Sequence, residues 1–175
     1  MTAPAASGIA PVVVFAIGNP SRGDDAIGPL LGERLQAELA RRGWQAQAEV
    51  EVIVEQQLVV EHVLDLVGRR EILFVDAAAA GSGPVSLTDL APAPPQAVMS
   101  HSVSPQALLG LYQEHIGQAP APARLLTVLG DGFELGAPLS ASGSERLETA
   151  WRVLHQQLDA WLGPLPETSA VAQST

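Results

Sequence analysis

Three residues in this chain are of types that can gather round a divalent cation: Asp25, Asp76 and His101. Asp25 stands in "GNPSRGDDAIG" (18–28), directly after the apolar run "VVVFAI" (12–17). Asp76 closes a second apolar run, "EILFVD", and His101 stands just before the "SVSP" that leads into a helix. Two carboxylates and one imidazole make a hard-to-borderline O,O,N set, suited to a divalent transition ion with coordination positions left open for another ligand. An Asp following "ILFV" is also expensive to bury without a partner. Gly18 and Gly23 have the spacing of a phosphate-binding loop, yet Asp24 and Asp25 occupy the positions where that loop carries Lys and Ser or Thr. A bound cation would account for two carboxylates at these positions.

Each candidate has a structural alternative. Asp is a leading N-cap residue, so Asp24 is assigned to cap the helix that starts at Ala26, leaving Asp25 for the ion. Asp76 could close a turn at the strand end, and His101 could be an ordinary loop histidine. His62, His115 and His155 fall in predicted helices and are read as packing residues. The tryptophans are read as core.

The elements that position these residues follow from hydrophobic period. "VVVFAI" (12–17) is continuously apolar, as in a strand buried on both faces of a parallel sheet. Ile27, Leu30, Leu31, Leu35 and Leu39 follow the helical period, with Gly43 as the stop. "AEVEVIVE" (48–55) alternates like a strand near an edge, and "LVVEHVLDLVG" (58–68) reads as a helix ending at Gly68. "EILFVDA" (71–77) and "RLLTVLG" (124–130) are further buried strands, with "PVSLTDL" (84–90) as a short additional one. Prolines exclude regular structure from "APAPPQAVMSHSV"; Ser104 and Pro105 then start a helix. A capping box, Ser142 with Glu145, is read as opening the last helix, which buries Leu147, Trp151, Leu154, Leu158 and Trp161 before Gly163. This order predicts an α/β fold, a three-layer α/β/α sandwich round a mostly parallel sheet, with sites outside the carboxyl ends of its strands.

Composition narrows the function. The 175 residues suit one domain over 11–163, with flexible tails at 1–10 and 164–175. A net charge of -10 repels nucleic acid and anionic lipid. The absence of cysteine excludes thiolate chemistry and zinc ribbons. With no basic n-region and no long apolar stretch, a soluble cytoplasmic protein, free of membrane and expected to be a monomer, is predicted. There is no GxSxG elbow and no HExxH pair; Ala16 and Ser21 break the dinucleotide fingerprint, and no second Asp-Thr/Ser-Gly turn exists to build a pepsin-like dyad.

The segment "VFAIGNPSRGDDAIGPLLGERL" resembles the N-terminal signature of the nickel–iron hydrogenase maturation endopeptidases, and the resemblance continues through "EQQLVVEHVLDLVGRREILFVDA", "SHSVSP" and "FELGAPLSASGSERLETAWRVL". It implies a hydrolase that removes the C-terminal peptide from the immature large subunit of a nickel–iron hydrogenase. It further implies that Asp25, often Glu in relatives, Asp76 and His101 contact nickel already inserted in that precursor, with no permanently bound metal of the protease's own. A metal-assisted, aspartic-type hydrolysis is then expected, in which the ion polarises the scissile carbonyl or activates a water and a carboxylate serves as general base. Two departures stand out: Val60 where relatives commonly have proline, and the polar "PSRG" in the opening loop, which bears on partner specificity. An autonomous zinc hydrolase using the same triad, or a non-catalytic binding module, are the competing readings.

Overall fold

The computed structural model describes residues 8–94 and 102–165. A five-stranded sheet forms the middle layer, in the order β2 (Val50–Glu55), β1 (Val12–Ile17), β3 (Glu71–Ala78), β5 (Ala123–Leu129), β4 (Val85–Leu90). β1 pairs in parallel with β2 and β3, and β3 in parallel with β5; β4 runs antiparallel along β5. Every residue of β1 is buried, whereas the edge strand β2 keeps an exposed residue at each of Glu51 and Glu55, which explains its alternating sequence.

Strand residues point alternately to the two faces, and each face has its own core. Val12, Val14, Leu73, Val75, Leu126 and Val128 meet Ile27, Leu31, Leu35 and Leu39 of α1 (Ile27–Arg42), together with Leu147, Leu154 and Leu158 of α4 (Ala141–Leu162). On the other face Phe15, Ile72 and Phe74 meet Leu108 and Leu109 of α3 (Pro105–Ile116) and Val63 and Leu66 of a 3-10 segment, Val60–Leu66. Phe15 and Phe74 stack with ring centroids 5.2 Å apart. Each fully buried Leu, Ile or Phe contributes about 1.5–3 kcal/mol, so the two helix layers are held chiefly by these contacts. A short helix, α2 (Trp44–Glu49), not anticipated from the sequence, links α1 to β2.

The predicted three-layer sandwich is thus observed, with local differences. The stretch 58–68 does not form an α-helix: Val60–Leu66 is a 3-10 segment, and Val60, Leu64 and the following Val67 are exposed, so the apolar residues do not all serve one buried stripe. The N-cap of α4 is Ser140, whose hydroxyl accepts from the Gly143 N–H at 2.8 Å, and not Ser142. Trp151 and Trp161 are only partly buried on the α1/α4 core, and the Arg34 guanidinium lies 4.2 Å above the Trp151 ring. Leu165, assigned to the C-terminal tail, is buried, and its carbonyl accepts from Arg42, so packing continues past Gly163. α3 begins as expected, with the Ser104 hydroxyl accepting from the Ala107 N–H at 3.2 Å and Pro105 in the first turn.

Two glycines let the first loop fold back on the end of β1. Gly18 has φ +145°, and a Cβ there would run into the carbonyl of Asp25. A Cβ on Gly28 would likewise strike the carbonyl of Ile17. The turn carrying both aspartates is therefore pressed against the strand end, a close approach that only glycine permits.

Candidate active site

After β1 the chain passes through Asn19 into a 3-10 turn, Gly23–Ala26, which continues directly into α1. Asp24 and Asp25 occupy this turn but face different surroundings. Asp24 is fully buried. Its Oδ1 accepts from the Ser140 N–H at 2.8 Å, and its Oδ2 accepts from the Asp131 N–H at 2.8 Å and from the Ser140 hydroxyl at 2.7 Å. Burial pushes its pKa up, but the donors from Asp131, Ser140 and Gly132 outweigh that and hold it below the ordinary aspartate value.

Asp24 therefore does not cap α1, as the sequence suggested. Ala26 occupies the N-cap position without a side-chain hydrogen bond, and the Asp24 carboxylate turns away to the loop after β5. Further bonds stitch the same two loops: Asp24 N–H to Gly132 O at 2.8 Å, Gly136 N–H to Ser21 O at 2.7 Å, and Arg22 Nε to Phe133 O at 3.1 Å. Ser142 donates to Asp131, whose other oxygen accepts from Arg146 at 2.9 Å. The loops after β1 and β5 thus behave as one support, anchored on the N-terminus of α4.

Asp25 is only partly buried. Its Oδ2 accepts from the Asn19 N–H at 2.9 Å, and Asn19 Oδ1 in turn accepts from the Ser21 N–H at 2.9 Å. This leaves lone pairs on the Asp25 carboxylate for another partner. Asp76 is half-buried near the carboxyl end of β3, opposite Thr127 of β5. Burial first, and the neighbouring Asp25 charge after it, raise its pKa to about 7 against the opposing hydrogen bond of the Ala77 N–H. The structure therefore brings Asp25 and Asp76 close enough for their charges to interact. A proton or a cation relieves that repulsion, and two carboxylates with free oxygens are suitable donors for a divalent ion.

His101, the third predicted ligand, lies outside the described residues. Among the described residues there is no group of three His, Asp or Glu side chains able to hold a metal. The other histidines have structural contacts: His62 Nδ1 accepts from the Val59 N–H and its ring packs edge-on against Phe15, His115 meets the Leu111 carbonyl, and His155 meets Glu38 at 2.8 Å. The supports Asn19, Asp131 and Ser140 were not singled out from sequence. Asn19, between Gly18 and Pro20, carried a turn signal; the other two are joined to the site only by tertiary structure. No helix among the described residues is long and apolar enough to cross a membrane.

A scan against protein-family models finds no match to this chain, and a search of curated proteins finds none either. Solved structures do match. The NiFe hydrogenase maturation protease HycI from Thermococcus kodakarensis KOD1 is 24% identical, with a TM-score of 0.61 over 87% of this chain and 95% of that one. The hydrogenase maturating endopeptidase HybD from E. coli is 20% identical, with a TM-score of 0.62 over 86% of this chain and 93% of that one. The solution structure of an endopeptidase from Escherichia coli is 18% identical, with a TM-score of 0.66 over 86% and 93%. Nearly the full length of each is matched by a chain whose paired carboxylates stand at the carboxyl end of the same sheet, and this protein accordingly has the fold of the hydrogenase maturation endopeptidases.

Proposed function

We propose that this protein is an endopeptidase of hydrogenase maturation, removing the C-terminal peptide from the large-subunit precursor of a nickel–iron hydrogenase. Nickel arrives as part of the substrate, and Asp25, Asp76 and His101 complete its coordination. The observation that carries this reading is the pair Asp25 and Asp76, brought from two strand ends into mutual repulsion, with Asp76 raised to about 7. Such a pair is poorly satisfied alone and well satisfied by a divalent ion. A precursor lacking nickel would leave the repulsion in place, so the site discriminates by charge as well as by shape.

Chemically, Asp25 is held by the Asn19 N–H with its remaining lone pairs available. Before an ion binds, burial and the Asp25 charge hold the Asp76 proton near neutrality; with the ion in place, a carboxylate oxygen of the pair that the ion does not take up can serve as general base towards an attacking water. The nickel that the precursor carries supplies Lewis acidity at the scissile carbonyl.

The variant series at Asp25 tests the assignment. Asp25→Asn keeps the size and loses the charge, and is expected to lose nearly all cleavage of nickel-loaded precursor at a melting temperature no lower than that of the wild type, because the repulsion of Asp76 is relieved. Asp25→Glu is expected to retain partial cleavage, because the longer carboxylate still reaches a divalent ion. Full activity in Asp25→Asn, measured by intact mass of the precursor, would remove Asp25 from the mechanism.

A further inference from the structure

The face of the sheet that carries Asp76 is apolar along most of its length, with Ile72, Phe74, Ala123 and Leu125 packed towards α3 and the 3-10 segment. At the carboxyl end of β3 this changes. Asp76 is paired with Thr127 of β5, and Thr127 with Ser86 of β4. Partners in a ladder point to the same face, so the three side chains form one row across three strands. All three are half-buried. Among the described residues, neither the Thr127 nor the Ser86 hydroxyl has a hydrogen-bond partner within the protein, and since no unpaired polar side-chain atom is sealed from solvent, both are open to a partner from outside. The row ends at β4, the last strand of the sheet.

We propose that this row is a substrate shelf: an extended stretch of the precursor crosses the strand ends from the Asp25–Asp76 pair towards β4, and Thr127 and Ser86 hydrogen-bond its backbone. The inference rests on the endopeptidase reading and adds where the chain lies relative to the carboxylates. Two strand spacings separate Asp76 from Ser86, about 9–10 Å, which an extended peptide covers with about three residues. Hydroxyls suit this task because a peptide presents N–H and C=O groups in alternation, and a Ser or Thr satisfies either. Neither residue carries a charge, so the shelf reads the backbone of the substrate rather than the charge of its side chains. A hydroxyl standing in "LLTVL", where Val or Ile would extend the apolar face, has a physical reason under this arrangement.

Thr127→Val and Ser86→Ala remove the hydroxyls while keeping strand shape, and Thr88→Val is the control, one row further along β4 on the same face and exposed. Cleavage of nickel-loaded precursor is followed at varied precursor concentration. The double variant Thr127→Val/Ser86→Ala is expected to raise KM about ten-fold, as for the loss of two ordinary hydrogen bonds, with the effect falling on KM rather than kcat. Thr88→Val should match the wild type, and circular dichroism should show all three folded. If the wild type cleaves and the double variant has the same KM, the shelf is wrong and the endopeptidase reading stands. Should the folded wild type leave nickel-loaded precursor uncut, both are wrong.

Discussion

Asp76→Asn is expected to melt at a higher temperature than the wild type at pH 8 while losing nearly all precursor processing. The folded-state pKa of Asp76 is about 7, against an ordinary aspartate value of 3.8. Between those values the folded chain holds a proton that the unfolded chain has released. The contribution of this group to stability is therefore fully present below about 3.8, falls as pH rises, and is gone once pH has passed through about 7. At pH 8 the carboxylate is ionised, half-buried and beside Asp25, at a cost bounded by the shift at about 4 kcal/mol. Asparagine retains the shape and removes the charge. A gain of about 5 °C in melting temperature at pH 8 is expected, shrinking to under half of that at pH 5 and vanishing only below about 3.8, where the unfolded carboxyl is protonated as well. Thermal melts of both proteins at the two pH values check this. A variant melting lower at pH 8 would mean that the charge serves the fold and not a bound ion.

The second large effect is expected at Asp24, in the opposite direction. Asp24→Ala removes the acceptor of three hydrogen bonds at once and leaves the Asp131 N–H, the Ser140 N–H and the Ser140 hydroxyl facing a fully buried gap. Unpaired buried donors cost about 1–3 kcal/mol each, and breaking a buried charged network about 3–5 kcal/mol in all. A lost N-cap, the role the sequence suggested, would cost only about 0.5–2 kcal/mol. Urea unfolding at pH 7 distinguishes the two, and a loss near 4 kcal/mol is expected. Because the Asp24 pKa is depressed, the part of its stabilisation that depends on its charge is present above the ordinary value of 3.8 and disappears as pH falls through the lower folded value. The difference between the wild type and Asp24→Ala should therefore narrow in strong acid, where only the packing and neutral hydrogen bonds of Asp24 remain.

The contrast between these two aspartates shows what sequence can and cannot convey. Asp76 was legible because an acidic residue after "ILFV" stands out against a strand that must be buried, and the strand order then places it at the site end of the sheet. β1, β3 and β5 were legible for the same reason, since strands covered on both faces must be apolar throughout. Asp24 was misread because N-capping is a local rule, whereas its real donors include Ser140, 116 residues further along. Ser142 was read as the cap on an equally local pattern, the spacing to Glu145, whereas Ser140 holds that place. Tertiary bonding decided both cases. The 3-10 segment was misread as an α-helix because "LVVEHVLDLVG" is rich in apolar residues, but Leu64 is 71% exposed and the short stretch ends at Gly68 with φ +76°.

The most direct measurement is incubation of the purified protein with nickel-loaded and nickel-free large-subunit precursor in parallel, followed by intact mass spectrometry. The account predicts loss of the C-terminal peptide from the nickel-loaded precursor alone, since only that substrate brings the cation that Asp25 and Asp76 require. Equal cleavage of the nickel-free precursor would contradict it.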